Sequence, residues 1–412
     1  MLMRMLRWTY AVVAMIMLQS CLDDSYKGSS TDPFGQNALV PVRVAIGEPS
    51  GNIVNIQGSS LKGSGPIDNM SQVNGKDIYV YAFNRDLLTS YAKKSADDML
   101  NTLVDASIDT PGSRAGKKAK TRSGSVWLDW VDAKKELYYH SGDMSRISYD
   151  FFAYYLDDMQ VTEADYKREE HAVRINVQID GRQDLMSAKA EIDSQQLEQC
   201  TDEEREYIKD YCYSYFTGIR NILPKFVFLH HLTRLEFELI PGETTLKKVI
   251  SVQSVKIKSR YKGEFTVADK GQPSQLGITF KEERADFALR EKNGDEIKPG
   301  TYNIYTIYTP GQSATAVPMG GGLLVAPQDM PFEAVVTLEE TQADGTIKSA
   351  TNTVLVKYTP EPGTMMFAAG NQYKVKFMIY GVNDVAANVT LEEWADGGKL
   401  DVDTEYDKPD IK

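Results

Sequence analysis

Pro224–Ile240, PKFVFLHHLTRLEFELI, is the run from which the fold is read. From Thr233 onward it alternates, with Leu235, Phe237 and Leu239 on one face and Arg234, Glu236 and Glu238 on the other, the period of a half-buried strand. Its first half, Phe226, Val227, Phe228 and Leu229, is apolar on both faces and predicts a deeper segment between two layers. A helical period would put Thr233 and Glu236 on the stripe of Phe226 and Leu229, so the run reads as a strand. An acidic helical segment precedes it and several strand-like runs follow, which makes it the opening strand of a second domain.

A chain of 412 residues can bury two cores, and 23 Tyr and 14 Phe lean it toward β-structure. A formal charge of −12 argues against nucleic acid as a partner, because phosphate binding needs a basic surface. Only the N-terminus is strongly apolar. Arg4 and Arg7 precede a short apolar stretch, Trp8 to Leu18, too short to span a membrane and ending in Leu18-Gln19-Ser20-Cys21. That tetrapeptide resembles a bacterial lipobox, which implies cleavage between Ser20 and Cys21 and lipidation of Cys21. Residues 1–20 are read as the signal peptide, and their loss leaves a mature charge of about −14. Asp23 and Asp24 resemble the surface-export signal of Bacteroidales lipoproteins, and residues 21–36 have a tether's composition.

Two further cysteines remain. Thr201-Asp202-Glu203-Glu204 has the form of a capping box and opens a helix expected to run to about Phe216. Helix between Cys200 and Cys212 would hold their Cα atoms roughly 18 Å apart, beyond the reach of a disulfide, so both are predicted to be free.

Elsewhere Val40, Val42, Val44 and Ile46 alternate to one face of a first strand, where Pro41 fits only an edge or first strand. Asp77–Phe83 predicts a second strand, and the apolar residues between about Arg85 and Ala106 a helix or helix-turn. Pro111–Ser125, PGSRAGKKAKTRSGS, is the one basic block and predicts a mobile, protease-sensitive surface loop. Ile147–Leu156 reads as an aromatic core strand, and Val173, Ile175, Val177 and Ile179 alternate before the Asp180-Gly181 turn. The second half carries eight short β-type runs beginning near Val249, Gly263, Gly300, Leu323, Phe332, Asn352, Gln372 and Asn388. Many short strands with Gly, Pro, Asp and Asn between them indicate a sandwich or barrel.

Motifs for chemistry are absent from the sequence: there is no CxxC, HExxH, G-x-S-x-G or P-loop. Gly320-Gly321-Gly322 lacks a following lysine and helix and reads as a flexible turn. His230 and His231 would point to opposite faces of a strand and cannot chelate one metal together. The pairs Asp157-Asp158, Glu203-Glu204 and Glu392-Glu393 read as solvated faces, so no metal, cofactor or catalytic residue is assigned.

Taken in order, these segments resemble the fimbrillins, the lipoprotein subunits of Bacteroidales pili. Phe228-Leu229-His230-His231-Leu232-Thr233-Arg234-Leu235 is similar to the family's F-x-H-x-L strand, Arg182–Met186 to the Asp-Leu segment before it, and Tyr149–Tyr155 to its aromatic strand. Leu323–Gln328, Ala369–Val375 and Val389–Gly398 also follow the family pattern. The resemblance implies an all-β fold of two tandem transthyretin-like β-sandwich domains with small helical insertions, 37–222 and 223–412. It implies a structural and adhesive subunit of a cell-surface fimbria, lipid-anchored at the outer membrane, with other fimbrial subunits as partners in a homo- or hetero-polymer and host or bacterial surface ligands. Strand exchange would use Val40, Val42, Val44 and Ile46, with the tail Lys399–Lys412 as donor. Fimbrillins are trimmed after an arginine behind the first strand, but Gly47–Asp77 contains none, which leaves Lys62, or Arg43 inside the strand, as the maturation site. The other reading is a monomeric surface lipoprotein binding glycans on Trp127, Trp130 or Tyr138-Tyr139. Under denaturing, non-reducing conditions the mature lipidated chain should titrate two thiols, Cys200 and Cys212; a count of zero would establish the bridge instead.

Overall fold

In the computed structural model the described residues are 39–47, 67, 70–85, 102–121, 127–131, 136–141, 147–192, 194–198, 200–244, 248–271, 275–306, 314–342, 344–392 and 394. Ser20, Cys21, the tether, Lys62, most of the expected 85–106 helix and the tail from Lys399 lie outside them. From Val40 onward the described residues belong to one unit.

The first half of the chain supplies β1 (Val44–Ile46), β2 (Asp77–Asn84), β3 (Thr102–Val104), β4 (Lys117–Thr121), β5 (Trp127–Trp130), β6 (Tyr149–Tyr155), β7 (Tyr166–Arg168), β8 (Ala172–Gln178) and β9 (Met186–Lys189). Short helices α1 (Ser194–Leu197), α2 (Asp202–Tyr211) and α3 (Tyr215–Ile219) follow, then β10 (Lys225–Phe226) and β11 (Leu229–His230). The remainder is β12 (Thr233–Pro241), β13 (Val249–Arg260), β14 (Lys262–Asp269), β15 (Gly277–Phe280), β16 (Arg284–Ala288), β17 (Tyr302–Tyr305), β18 (Val317–Val325), β19 (Phe332–Thr341), β20 (Ile347–Val356), β21 (Gln372–Gly381) and β22 (Asp384–Glu392). The chain is nearly all β.

One sheet runs β10-β1-β5-β4-β2-β6-β9-β11, with β3 beside β2. Its two ends, β10 and β11, are pieces of one run separated only by Val227 and Phe228, so the sheet curls until its edges nearly meet. The other sheets are β18-β12-β21-β22, then β16-β13-β19-β20 with β17 on β13, and β15-β14-β8-β7. In the last of these, β8 pairs with β14, joining segments on either side of residue 222.

Residues Pro224–Ile240 therefore form three strands rather than one. Val227 and Leu229 are exposed while Phe226 and Phe228 are buried, so the first half does not lie between two layers. The strand is sacrificed to a corner, because this run has to pass from β1 at one end of the sheet to β9 at the other. Beyond Thr233 the alternation holds, with Leu235, Phe237 and Leu239 buried.

Two apolar cores flank the central strands. β2 sends Ile78, Val80 and Ala82 into a core with Val40, Val42, Val44, Ile46, Phe151, Tyr213 and Phe226. Its other face sends Tyr81 and Phe83 into a second core with Phe152, Tyr154, Val173, Ile175, Val177, Leu235 and Phe237. Burial on both faces explains why β6 is aromatic at nearly every position, and all seven of its residues are buried.

Three expectations are corrected. The basic block is not a loop over its whole length: Lys117–Thr121 is β4, paired with both β2 and β5. Lys117 is buried with its ammonium on Asp109, while Lys118 and Lys120 lie 2.7 and 3.4 Å from Asp77, so the lysines are neutralised where they stand. α2 ends at Tyr211, because Cys212 takes φ +31° and turns the chain before α3. The capping box itself forms, with the Thr201 hydroxyl accepting from Glu204 N–H and the Glu204 carboxylate accepting from Thr201 N–H, and Cys200 and Cys212 are both free. Gly320–Gly322 lies inside β18, not in a turn.

At Gly320 φ is +65°, and a Cβ would meet the Arg290 carbonyl oxygen at 2.6 Å. The glycine lets β18 bulge where its register against β12 shifts between Leu235 and Phe237. Gly345 has φ +81° with open space around it. Gly320→Ala should destabilise the chain by at least about 2 kcal/mol, against about 1 kcal/mol for Gly345→Ala, by urea denaturation.

Candidate strand-exchange site

β1 fills the interval between β5 and β10. It is antiparallel to β5, pairing Val44 with Leu128 and Ala45 with Trp127, and parallel to β10, pairing Ala45 with Lys225 and Ile46 with Phe226. Ahead of β1, Val42 N–H donates to Leu137 C=O at 2.7 Å, Tyr139 N–H donates to Val40 C=O at 2.9 Å, and the Trp130 indole donates to Val42 C=O at 3.2 Å. After it, Gly47 N–H donates to Phe226 C=O at 2.8 Å. Val40, Val42, Val44 and Ile46 are 8, 2, 0 and 3% exposed, so all four predicted anchors point into the core. Pro41 bridges Tyr138 at the approach to β1, where no β10 partner faces it and its missing N–H costs the ladder nothing. α3 closes the slot: a Cβ on Gly218 would lie 2.6 Å from Val40 Cγ1, so glycine makes room for the first anchor.

Burial of four such side chains is worth about 6–12 kcal/mol at roughly 1.5–3 each, and each backbone hydrogen bond adds about 0.5–1.5. Arg43 alone in this stretch is exposed, flanked by buried Val42 and Val44.

A second feature lies where the chain re-enters after the connection that follows β1. Asp184, fully buried, accepts from Ile67 N–H at 2.9 Å and lies 3.0 Å from His230 Nδ1, and its own N–H donates to Asp157 at 3.3 Å. His230 stacks on Trp394 with centroids 4.0 Å apart, and the Trp394 indole donates to Ile67 C=O at 3.1 Å. Residues 67, 184, 230 and 394 are thus tied at one point. The Asp-Leu segment, the F-x-H-x-L strand and the chain after β22 converge there. Sequence reading placed the three segments in order without bringing Asp184 and Trp394 together, since their separation in the chain carries no local pattern.

The two histidines do face different neighbours. His231 Nε2 lies 2.7 Å from Ser187 Oγ, and its ring meets Phe265 edge-on. Burial, with the neighbouring His230 secondary, pulls the His231 imidazole down to about 4. Ser187 and His231 are both buried and Asp184 is engaged by His230, so this is not a nucleophile arrangement open to substrate. Asp157 departs from the solvated reading: its side chain is 3% exposed, and it accepts from Tyr155 OH at 2.7 Å and Lys76 Nζ at 3.4 Å. Glu204 caps α2 and lies 2.9 Å from Arg220.

The proposed sugar platforms are half-buried or buried. Tyr139 is in the core against Phe151, and Trp130 is committed to Val42. A shallow cleft of about 320 Å³ has Tyr79, Asp109, Lys117, Glu163 and Tyr166 in its lining. Its charges are already engaged, Lys117 by Asp109 and Glu163 by Ser113 and Arg114.

No family model matches the chain, and no curated protein matches it. Among solved structures, it is similar to a candidate cell adhesion protein of Bacteroides uniformis (13% identity, 89% of this chain and 100% of that one, TM-score 0.42). A candidate cell adhesion protein of Bacteroides ovatus gives 14% identity, 88% and 99% coverage and a TM-score of 0.40. The fimbrial anchor protein Mfa2 of Porphyromonas gingivalis gives 11% identity, 87% and 100% coverage and a TM-score of 0.27.

Because the His231 pKa is lowered from 6.5 to about 4, the unfolded chain binds the proton more readily between those values. Stability from neutral His231 is present above about pH 6.5 and is lost as pH falls toward 4. Relative to His231→Asn, the native chain should lose up to about 3 kcal/mol over that window, by urea midpoints at stepped pH.

Proposed function

We propose that the chain is a structural and adhesive subunit of a cell-surface fimbria, built by strand exchange between lipoprotein subunits, as a stalk, anchor or tip component. The observation that carries this reading is β1. Residues 40–46 are held between two other strands and bury four alternating apolar side chains. Both neighbours of β1 are remote from it in sequence, and its departure leaves β5 and β10 as two facing edges. An extended segment from a neighbour satisfies those edges by β-addition. The ordered similarity of the chain's segments to fimbrillins supports the same assignment.

Under this proposal the chain folds as two transthyretin-like sandwiches that share strands across residue 222, Cys21 is the outer-membrane lipid anchor after cleavage behind Ser20, and other fimbrial subunits are the partners. Maturation falls after Lys62 or Arg43. Val42 and Val44, on either side of Arg43, are buried, so a protease reaches that bond only once β1 has left its sheet. Cleavage after Lys62 falls in the connection between Gly47 and Ile67, and afterwards β1 is held without a covalent link.

Surface extracts from expressing cells, run unheated in SDS, should show this chain in high-mass species that collapse on boiling. Cys21→Ser should abolish fatty-acid labelling and move the chain out of the membrane fraction. A monomer in every extract, with tryptophan fluorescence quenched by a sugar, would instead establish the glycan-binding reading.

A further inference from the structure

We infer that Ile67 and Trp394 form a relay between the core around β1 and the chain that leaves β22, so that Trp394 stays docked only while that core is filled. The relay is a property of a single chain and goes beyond the fimbrial reading. Ile67 lies outside every strand and is 3% exposed. Its side chain belongs to the core of Val40, Val42, Val44, Ile46 and Phe226. Both of its backbone polar groups are taken by distant side chains, the N–H by the Asp184 carboxylate at 2.9 Å and the C=O by the Trp394 indole at 3.1 Å. Trp394 is likewise outside every strand, but it packs in the second core, with Leu235 and Tyr373. One hydrogen bond, between residues 327 positions apart, therefore joins the two cores.

The seat of the indole has three parts. His230 stacks on it with centroids 4.0 Å apart and the planes 20° apart, the Arg234 guanidinium stands 5.7 Å from the ring, and Ile67 C=O accepts its N–H. Two of these parts answer to β1. Ile67 does so through the shared core. His230 does so through the backbone, because β10, which pairs with β1, is followed after Val227 and Phe228 by β11, which carries the histidine. Asp184 ties the two together, since its fully buried carboxylate accepts from Ile67 N–H and lies 3.0 Å from His230 Nδ1. The link is steep because the interior is close-packed. Emptying part of the β1 core lets Ile67 follow its side chain, and a displacement of about 0.5 Å carries a bond of 3.1 Å past the hydrogen-bonding range. The buried indole N–H then lacks its acceptor and the carboxylate loses a donor, and both losses favour undocking. Linkage makes the relation reciprocal: undocking of Trp394 releases Ile67 and loosens the core that holds β1.

The test is hydrogen exchange at indole and amide N–H groups, followed by NMR on the mature chain. Trp127, Trp130 and Trp394 supply its indole signals, and Trp394→Phe identifies the one of interest. Val44→Ala empties part of the β1 core, and Val252→Ala, an equally enclosed valine on β13, controls for general destabilisation. After correction for the global stability each loses in urea, Val44→Ala should speed exchange of the Trp394 indole at least about tenfold more than Val252→Ala does. Trp394→Phe keeps an aromatic ring for His230 but has no N–H, and it should speed exchange of the Ile67 amide by a similar factor. Should Val44→Ala fail to fold, Ile46→Val removes one methyl from the same core and should give about a threefold effect in the same direction. Equal indole exchange in the two valine variants would overturn the relay, and so would an unchanged Ile67 amide in Trp394→Phe. Every readout comes from a single chain. Absence of high-mass species from surface extracts therefore counts against the fimbrial reading alone, and equal exchange in the valine variants against the relay alone.

Discussion

Backbone amides and carbonyls at the facing edges of β5 and β10 need partners, and in the folded chain β1 provides them. A sheet whose two end strands, β10 and β11, nearly meet has little exposed edge left. The corner at Val227 and Phe228 follows from this requirement, because one run has to serve β1 on one side and β9 on the other. So does the sequence of β1 itself. Four apolar anchors turn inward, and Pro41 stands at the approach, where its missing N–H leaves no ladder partner unmet.

Around that slot the molecule is stiff where it has to be. β2 and β6 bury both faces, so the sheet that receives a strand is backed by a second core. Asp184 then binds the chain's re-entry at Ile67 to His230, and Trp394 covers the same residue from the other side. The path that follows β1 and the path that leaves β22 are consequently fixed to one buried carboxylate. The backbone of Ile67 is held there by Asp184 and Trp394, while its side chain lies in the same core as the anchors of β1.

Periodicity carried much of this. Leu235, Phe237 and Leu239, the run Val173 to Ile179, the aromatic β6 and the four anchors of β1 all announce their faces by alternation, because each buries one face or two in a predictable way. The errors have a common cause: local chemistry was outvoted by tertiary partners. A lysine-rich block became β4 because Asp77 and Asp109 neutralise it. Gly320 sits inside β18 because the bulge opposite β12 needs a residue without a Cβ there. The corner in Pro224–Ile240 was invisible for the same reason, since nothing local distinguishes a strand that continues from one that changes neighbours. The convergence of Asp184, His230 and Trp394 is non-local altogether.

The placement of β4 has a further result for a molecule exposed to digestion. Endopeptidases that cut after lysine take their substrate as a free extended segment, and Lys117, Lys118 and Lys120 lie in an extended segment already bonded on both sides, to β2 and to β5. The cluster of basic residues that looks easiest to cut is therefore denied to such enzymes for as long as the sheet stays intact. Such enzymes respond to the fold rather than to composition, and the hydrogen-bonded neighbours of each lysine set how readily it is cut.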